Sequence, residues 1–292
     1  MNLDHFGMDT ITLAGPLEGK LRAVEAAGFT QIMLAAGDIA GHPGGEQAAV
    51  AAVRSSGLRV TGFQVLRDFE GLAGHLHAYK VDVAKAMLEM CRALGSPLLL
   101  ACSSTSAHAS GDAELLKRDL QKLAMLAAAL GVRVAYEALS WGRHVNQLAQ
   151  ACEIVQDADR ANLGVCLDSY HFIANATPPE ALQGMDPQKL FLVQLSDFMW
   201  QELRSPQDRI ETARHFRVFP GEGVHNAELA ELVRQVDAMG YRGDYSFEVF
   251  NDDYRQLPLA MVARRAKRAA KWVSDLVARR SLPLRRTGAA PA

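Results

Sequence analysis

The chain has 292 residues, 49% apolar and 22% charged, and its 31 Lys and Arg against 33 Asp and Glu leave a formal net charge of −2. That composition excludes a disordered chain and gives no electrostatic footprint for a dedicated nucleic-acid or anionic-membrane binder. A single α/β barrel uses about 250 residues, so one domain is expected over residues 1–281, with a short tail over 282–292.

No basic-then-apolar leader opens the sequence, and no apolar run approaches the ~18 residues of a membrane span. A cytoplasmic protein with no membrane partner is expected. The cysteines (Cys91, Cys102, Cys152 and Cys166) form no CxxC pair and sit in apolar runs, which predicts buried free thiols.

In chain order, strand-like runs are predicted at Thr10–Ala14, Gln31–Ala35, Arg59–Leu66, Pro97–Cys102, Arg133–Leu139, Leu163–Ser169, Leu190–Leu195 and Tyr245–Phe250. Helical runs fall between them, among them Pro16–Ala27, Tyr79–Leu94, Ala113–Leu130, Asn146–Asp157 and Ala227–Met239. Glycine just past the helix ends, as in "ALGSP" and "ALGVRV", marks repeated helix stops before strands. This alternation predicts an α/β fold, a single (β/α)8 TIM barrel. A doubly wound open sheet is the alternative, and the first strand lacks the GxGxxG that would favour it.

Two long loops are expected, Gly37–Glu46 and Ser196–Asn226; on a barrel such loops form lids or binding surfaces. The second carries Arg204, Arg209, Arg214, His215 and Arg217, most of which read as a solvated helical turn. The basic pattern from Arg264 to Arg286 reads as the charged outer face of the last helix. A homo-oligomer is left open.

Four strand-like runs carry one polar residue near their C-terminal ends: Glu137, Asp168, Gln194 and Glu248. In a barrel that end is the catalytic face. The residues two positions earlier (Ala135, Cys166, Leu192 and Ser246) are apolar or small, as lumen-facing positions should be. Taken singly, each also reads as a hydrogen-bonded core residue, Gln194 equally well. Three carboxylates in one dry site, however, would repel each other unless a positive charge lay between them. A divalent cation answers that need, and an all-oxygen set favours Mn2+ or Mg2+ over Co2+ or Zn2+.

His171, three residues after Asp168, falls just beyond the strand and is a candidate acid or base, or a holder of substrate oxygens. Arg67 at the end of the third strand is a candidate fork for a substrate carboxylate, with an ion pair to Asp68 or Glu70 as the alternative. Arg217 is a second anion-binding candidate, since Pro220, Gly221 and Gly223 imply a tight turn that would aim either it or Glu222 inward. Trp141, His144 and Asn146 either line the same mouth or, for Asn146, cap the next helix.

These strand-end residues resemble the metal set of the xylose isomerase-like TIM barrels, a superfamily of sugar phosphate isomerases and epimerases that includes endonuclease IV. Gln194 stands where many members carry His, and the set Glu, Asp, Gln, Glu resembles that of the bacterial 3-dehydroshikimate dehydratases. "LRDFEG" (66–71), "YEALSWGRHVN" (136–146), "LDSYH" (167–171), "RVFPGEG" (217–223) and "SFEVFND" (246–252) are similar to that subgroup.

The resemblance implies a lyase that abstracts a proton beside a carbonyl, lets a metal stabilise the enolate and expels a β-hydroxyl as water, giving protocatechuate. An isomerase or epimerase of a sugar, keto-sugar or inositol derivative is the alternative. Either reading implies a small-molecule partner, a hydroxy-keto acid or keto-sugar. An endonuclease is disfavoured by the net charge of −2 and the small ligand set. After the second strand the sequence reads "IMLAAGDIAGHPGG", where the dehydratases carry an acidic, Phe-containing stretch. No counterpart of the dioxygenase-like domain fused onto some bacterial dehydratases is expected.

Overall fold

Eight parallel strands hydrogen-bond into a closed ring in the computed structural model, which describes residues 2–278. They are β1 (Phe6–Asp9), β2 (Gln31–Ala35), β3 (Arg59–Leu66), β4 (Leu98–Cys102), β5 (Arg133–Glu137), β6 (Leu163–Asp168), β7 (Leu190–Leu195) and, late in the chain, β10 (Tyr245–Phe247). The ring runs β1-β10-β7-β6-β5-β4-β3-β2. Two short strands, β8 (Asp197–Phe198) and β9 (Arg217–Val218), pair antiparallel above it.

The connecting helices are α1 (Leu17–Ala26), α2 (Ala36–Ala40), α3 (Gly45–Ser55), α4 (Gly74–Leu94), α5 (Ala113–Ala128), α6 (Leu148–Ala158), α7 (Ser169–Ala174), α8 (Pro206–His215), α9 (Asn226–Ala238) and α10 (Leu259–Ala278). None is long and apolar enough to cross a membrane among the described residues. The tail expected over 282–292 lies outside the described residues.

Strand alternation sorts the apolar residues into two cores. Outward side chains such as Val134, Tyr136, Val165 and Leu167 join the large core beneath the helices. Met33, Leu98, Leu100, Ala135, Cys166 and Leu192 form a separate cluster that fills the lumen below the strand ends. The ring closes at the β1–β10 seam, where Phe6 pairs with Tyr245 and stacks on Tyr245 and Phe247 at centroid distances of 5.2 and 5.9 Å.

Three local expectations are corrected. The first strand is not Thr10–Ala14 but Phe6–Asp9, and Thr10–Thr12 is a 3-10 turn. Asp9 causes the turn: its Oδ1 accepts the Ile11 N–H at 2.9 Å and ends the strand. The stretch Gly37–Glu46 is not an open loop, since α2 occupies its first half and α3 begins at Gly45. Lys20, itself buried, pins α2 by an ion pair to Asp38 at 2.7 Å. The segment after β7 likewise contains α8, whose capping box joins Ser205 and Asp208 with Pro206 at the first helical position. As expected, the four cysteines are free; Cys152 is half-buried and the others are buried.

Candidate active site

The β-ring brings the predicted strand-end residues to one level. Glu137 ends β5, Asp168 ends β6, Gln194 lies one residue before the end of β7, and Glu248 follows β10 directly. The parallel register sets Glu137 beside Cys166 and Cys102, and Gln194 beside Asp168 and Ser246. All four side chains are buried, Gln194 completely. One ligand-capable atom from each of Glu137, Asp168 and His171 falls within 4.8 Å of the others.

Burial and the neighbouring charges of Glu248 and Asp168 push the Glu137 carboxyl well above the usual carboxylate range. Burial likewise raises Glu248, opposed by Arg217. The thiols on either side act as donors: Cys102 Sγ lies 2.9 Å from Glu137 Oε2, and Cys166 Sγ lies 3.2 Å from Gln194 Oε1. Burial first, and the Glu137 charge second, hold both thiols protonated.

Arg217 enters this cluster from β9. Its Nη1 donates to Asp168 Oδ2 at 2.7 Å and to Glu248 Oε2 at 3.1 Å, and its Nε to the Ala213 carbonyl at 2.9 Å. Burial works against its charge, but Asp168 and Glu248 outweigh it and keep the guanidinium ionised. The "RVFPGEG" turn therefore aims Arg217 inward and Glu222 outward. Glu222 pairs with Arg265 at 3.0 Å and accepts from the Tyr254 hydroxyl. The fork expected to bind a substrate anion is engaged with the chain's own carboxylates.

His171 lies on α7, whose N-cap is Asp168. Its Nδ1 accepts the Ser140 backbone N–H at 3.1 Å. A backbone N–H can only donate, so Nδ1 is the unprotonated nitrogen and the ring proton sits on Nε2. Burial lowers the imidazole to about 3, so the ring is neutral near pH 7. Nε2 lies 3.6 Å from Glu137 Oε1 and 3.7 Å from Asp168 Oδ2, beyond hydrogen-bond reach.

Glu137, His171, Arg217 and Glu248 border a cavity of about 820 Å3, with Arg67 and Trp141 also on its lining. The alternative reading of Arg67 does not hold. Asp68 instead accepts the Thr105 N–H at 2.7 Å, and Glu70 accepts the Ser104 N–H at 2.5 Å and the Tyr136 hydroxyl at 2.8 Å. Arg67 is exposed and forms no ion pair among the described residues. His144 and Asn146 are used structurally, on the Ala109 and Gly142 carbonyls. Gln147, not Asn146, is the N-cap of α6. The small residues Ala35, Ala36 and Gly37 line the β2 side of the cavity.

Two lumen residues were missed by the sequence reading. Gln64 accepts from Gln194 Nε2 at 3.2 Å. Asp9 is fully buried, with Oδ2 unbonded, and is raised well above the carboxylate range by burial and by Glu248. Gln64 carried the same signal as the predicted four, a polar residue near a strand's C-terminal end.

The cluster fits a divalent cation in part. Glu137 Oε1 is buried without a hydrogen-bond partner, which is costly unless something positive meets it. Asp168 and Glu248 offer further carboxylate oxygens, and the Gln194 Oε1 keeps a second lone pair beside the one Cys166 uses. His171 does not fit as a ligand, because its Nε2 carries the proton.

A closed parallel barrel with a buried carboxylate cluster at its C-terminal face defines a site of the kind used by barrel enzymes. The sequence matches the profile of the xylose isomerase-like TIM barrels over residues 21–276, and the chain belongs to that family. It is 39% identical over 249 residues to the 3-dehydroshikimate dehydratase of Pseudomonas aeruginosa, covering 85% of this chain and 38% of that protein. It is 30% identical over 188 residues to an inosose isomerase of Halalkalibacterium halodurans, covering 63% and 64% of the two chains. The solved structure of a xylose isomerase-like TIM barrel/4-hydroxyphenylpyruvate dioxygenase fusion protein superposes with a TM-score of 0.88 at 34% identity, covering 97% of this chain and 45% of the other. The chain thus spans less than half the length of that dehydratase and of the fusion protein.

Proposed function

We propose that the chain is a metal-dependent dehydratase that eliminates water from 3-dehydroshikimate to give protocatechuate. The observation that carries the reading is the buried floor where Glu137 lies beside Asp168 and Arg217 Nη1 bridges Asp168 to Glu248, with Glu137 Oε1 unpartnered. The likeness to the Pseudomonas dehydratase supports the substrate. Glu137, Asp168, Gln194 and Glu248 would hold one divalent ion, Mn2+ or Mg2+ in preference to Co2+ or Zn2+. When bound, that ion supplies Lewis acidity beside the substrate carbonyl and makes the neighbouring C–H more acidic.

The chain's own groups then divide the work. Arg67, exposed at the mouth, binds the substrate carboxylate through its planar fork. His171, fixed as the Nε2–H tautomer, donates to a substrate oxygen rather than removing a proton. Arg217 bridges Asp168 and Glu248 and orients them. The lumen cluster of Met33, Leu98 and Leu100 excludes water from below.

The test is an absorbance assay for protocatechuate with chelator-stripped protein, with and without Mn2+ or Mg2+. Metal-dependent turnover is expected. Losing even an outer partner of a metal typically costs about 10- to 100-fold, so Glu137→Ala and Glu248→Ala should exceed that range. The second reading, an isomerase of a cyclic keto-sugar, draws on the inosose isomerase relative. Metal binding without protocatechuate formation, together with turnover of an inosose, would favour it.

A further inference from the structure

The segment that delivers Arg217 has one short strand pairing and one isolated antiparallel bridge, Phe216 with Asn251. β8 and β9 pair through only Asp197 with Val218 and Phe198 with Arg217. A two-stranded ribbon is at best marginal without other support, so four residues will not fix a buried guanidinium between two carboxylates.

The Arg217 backbone is tied to the segment after β10, its N–H on the Phe250 carbonyl at 3.0 Å and its carbonyl on Asn251 Nδ2 at 2.7 Å, and a buried pair one layer away braces the other side. Asp197 is fully buried, and its Oδ1 accepts the Phe198 N–H at 2.7 Å, the His225 Nδ1 at 2.9 Å and the His225 N–H at 3.4 Å. It thereby ties the chain before Arg217 to the chain after the 219–223 turn. Val224 N–H closes the same junction on the Phe198 carbonyl at 3.1 Å. The His225 ring lies on Phe198, centroids 4.0 Å apart, and Phe198 packs against Tyr170, over whose ring the Arg217 guanidinium sits at 4.5 Å. Ser196, adjacent to Asp197, adds its Oγ at 3.3 Å from Arg217 Nη1.

The fit is tight. A Cβ on Gly223 would lie 2.4 Å from the Asp197 carboxyl carbon, so the turn passes against the carboxylate with no room for a side chain. Asp197 Oδ2 is buried and unbonded, an expensive feature for a strap whose only task is stability.

We propose that Asp197 and His225 are positioning residues that set Arg217 against Asp168 and Glu248, and that they act on the site only through Arg217. The inference rests on the reading of Arg217 as part of the functional site.

Two measurements test it. The first is the crystal structure of His225→Ala beside that of His225→Gln, which keeps a side-chain donor for Asp197. Arg217 is expected to leave Asp168 and Glu248 in the first and to hold its place in the second. The second is turnover of 3-dehydroshikimate by the metal-loaded protein. His225→Ala should lower kcat by about 10- to 100-fold with little change in KM, and His225→Gln should recover most of it. In an Arg217→Lys background His225→Ala should cost no further loss beyond about twofold, because coupled residues are not additive.

Arg217 unmoved in His225→Ala overturns the proposal. So do losses that multiply with Arg217→Lys, or a kcat that follows thermal stability equally in both His225 variants. If the wild type makes no protocatechuate, the dehydratase reading fails, and the crystal structures alone decide the positioning role. If His225→Ala does not fold, His225→Gln and Asp197→Ala carry the same comparison, with Asp197→Ala expected to move Arg217.

Discussion

Arg67 and Glu70 lie three residues apart and meet opposite fates. Arg67 stays exposed at the mouth, in no ion pair among the described residues, whereas Glu70 is drawn behind the β4–β5 wall onto Ser104 and Tyr136. Arg67→Ala should raise KM for a carboxylate substrate by about 10- to 100-fold, the loss of one or two charge-assisted hydrogen bonds, and leave kcat largely intact. Steady-state kinetics check this. A neutral keto-sugar as substrate would be indifferent to the change.

Burial raises Glu70 to about 7 from an ordinary 4.5, despite the hydrogen bonds that oppose it. A carboxyl raised in the folded state favours folding below its unfolded pKa and loses that contribution as pH rises through the folded one. The sensitive window is therefore pH 4.5 to about 7. The full cost above it is about 3 kcal/mol. Glu70→Gln keeps an acceptor for both partners and removes the titration. Urea melts should show its stability flatter with pH than the wild type, and higher at pH 8.

Among the elements, the strands that alternate strongly were legible. The boundaries of β2, β3 and β7 match the predicted runs, and β4 to β6 differ only at their ends. β1 was misplaced because its inward positions are Gly7 and Asp9, which carry no apolar signal, while Asp9 folds the more strand-like Thr10–Thr12 into a turn. α3 was hidden by the glycines before it, although "EQAAVAAVRS" is itself a good helix former.

The site was legible where polarity broke an apolar strand, as at Glu137, Asp168, Gln194 and Glu248. It was not legible where function depends on partner choice. Nothing in the spacing says that Ser140 would set the His171 tautomer, or that Arg217 would turn toward carboxylates of its own chain. The β1–β10 seam offers an element-scale test. Phe6 is fully buried and stacked on two rings of β10, so Phe6→Ala should cost about 3–5 kcal/mol in equilibrium unfolding.

At the scale of the whole molecule, the two cores do different work. The outer one joins helices to strands and carries most of the buried apolar surface. The inner one is small, yet it blocks the lumen from strand to strand beneath the carboxylate floor. The consequence is traffic. A blocked lumen turns the ring into a cup with a single rim, and everything that arrives, departs or is shed in between uses that rim.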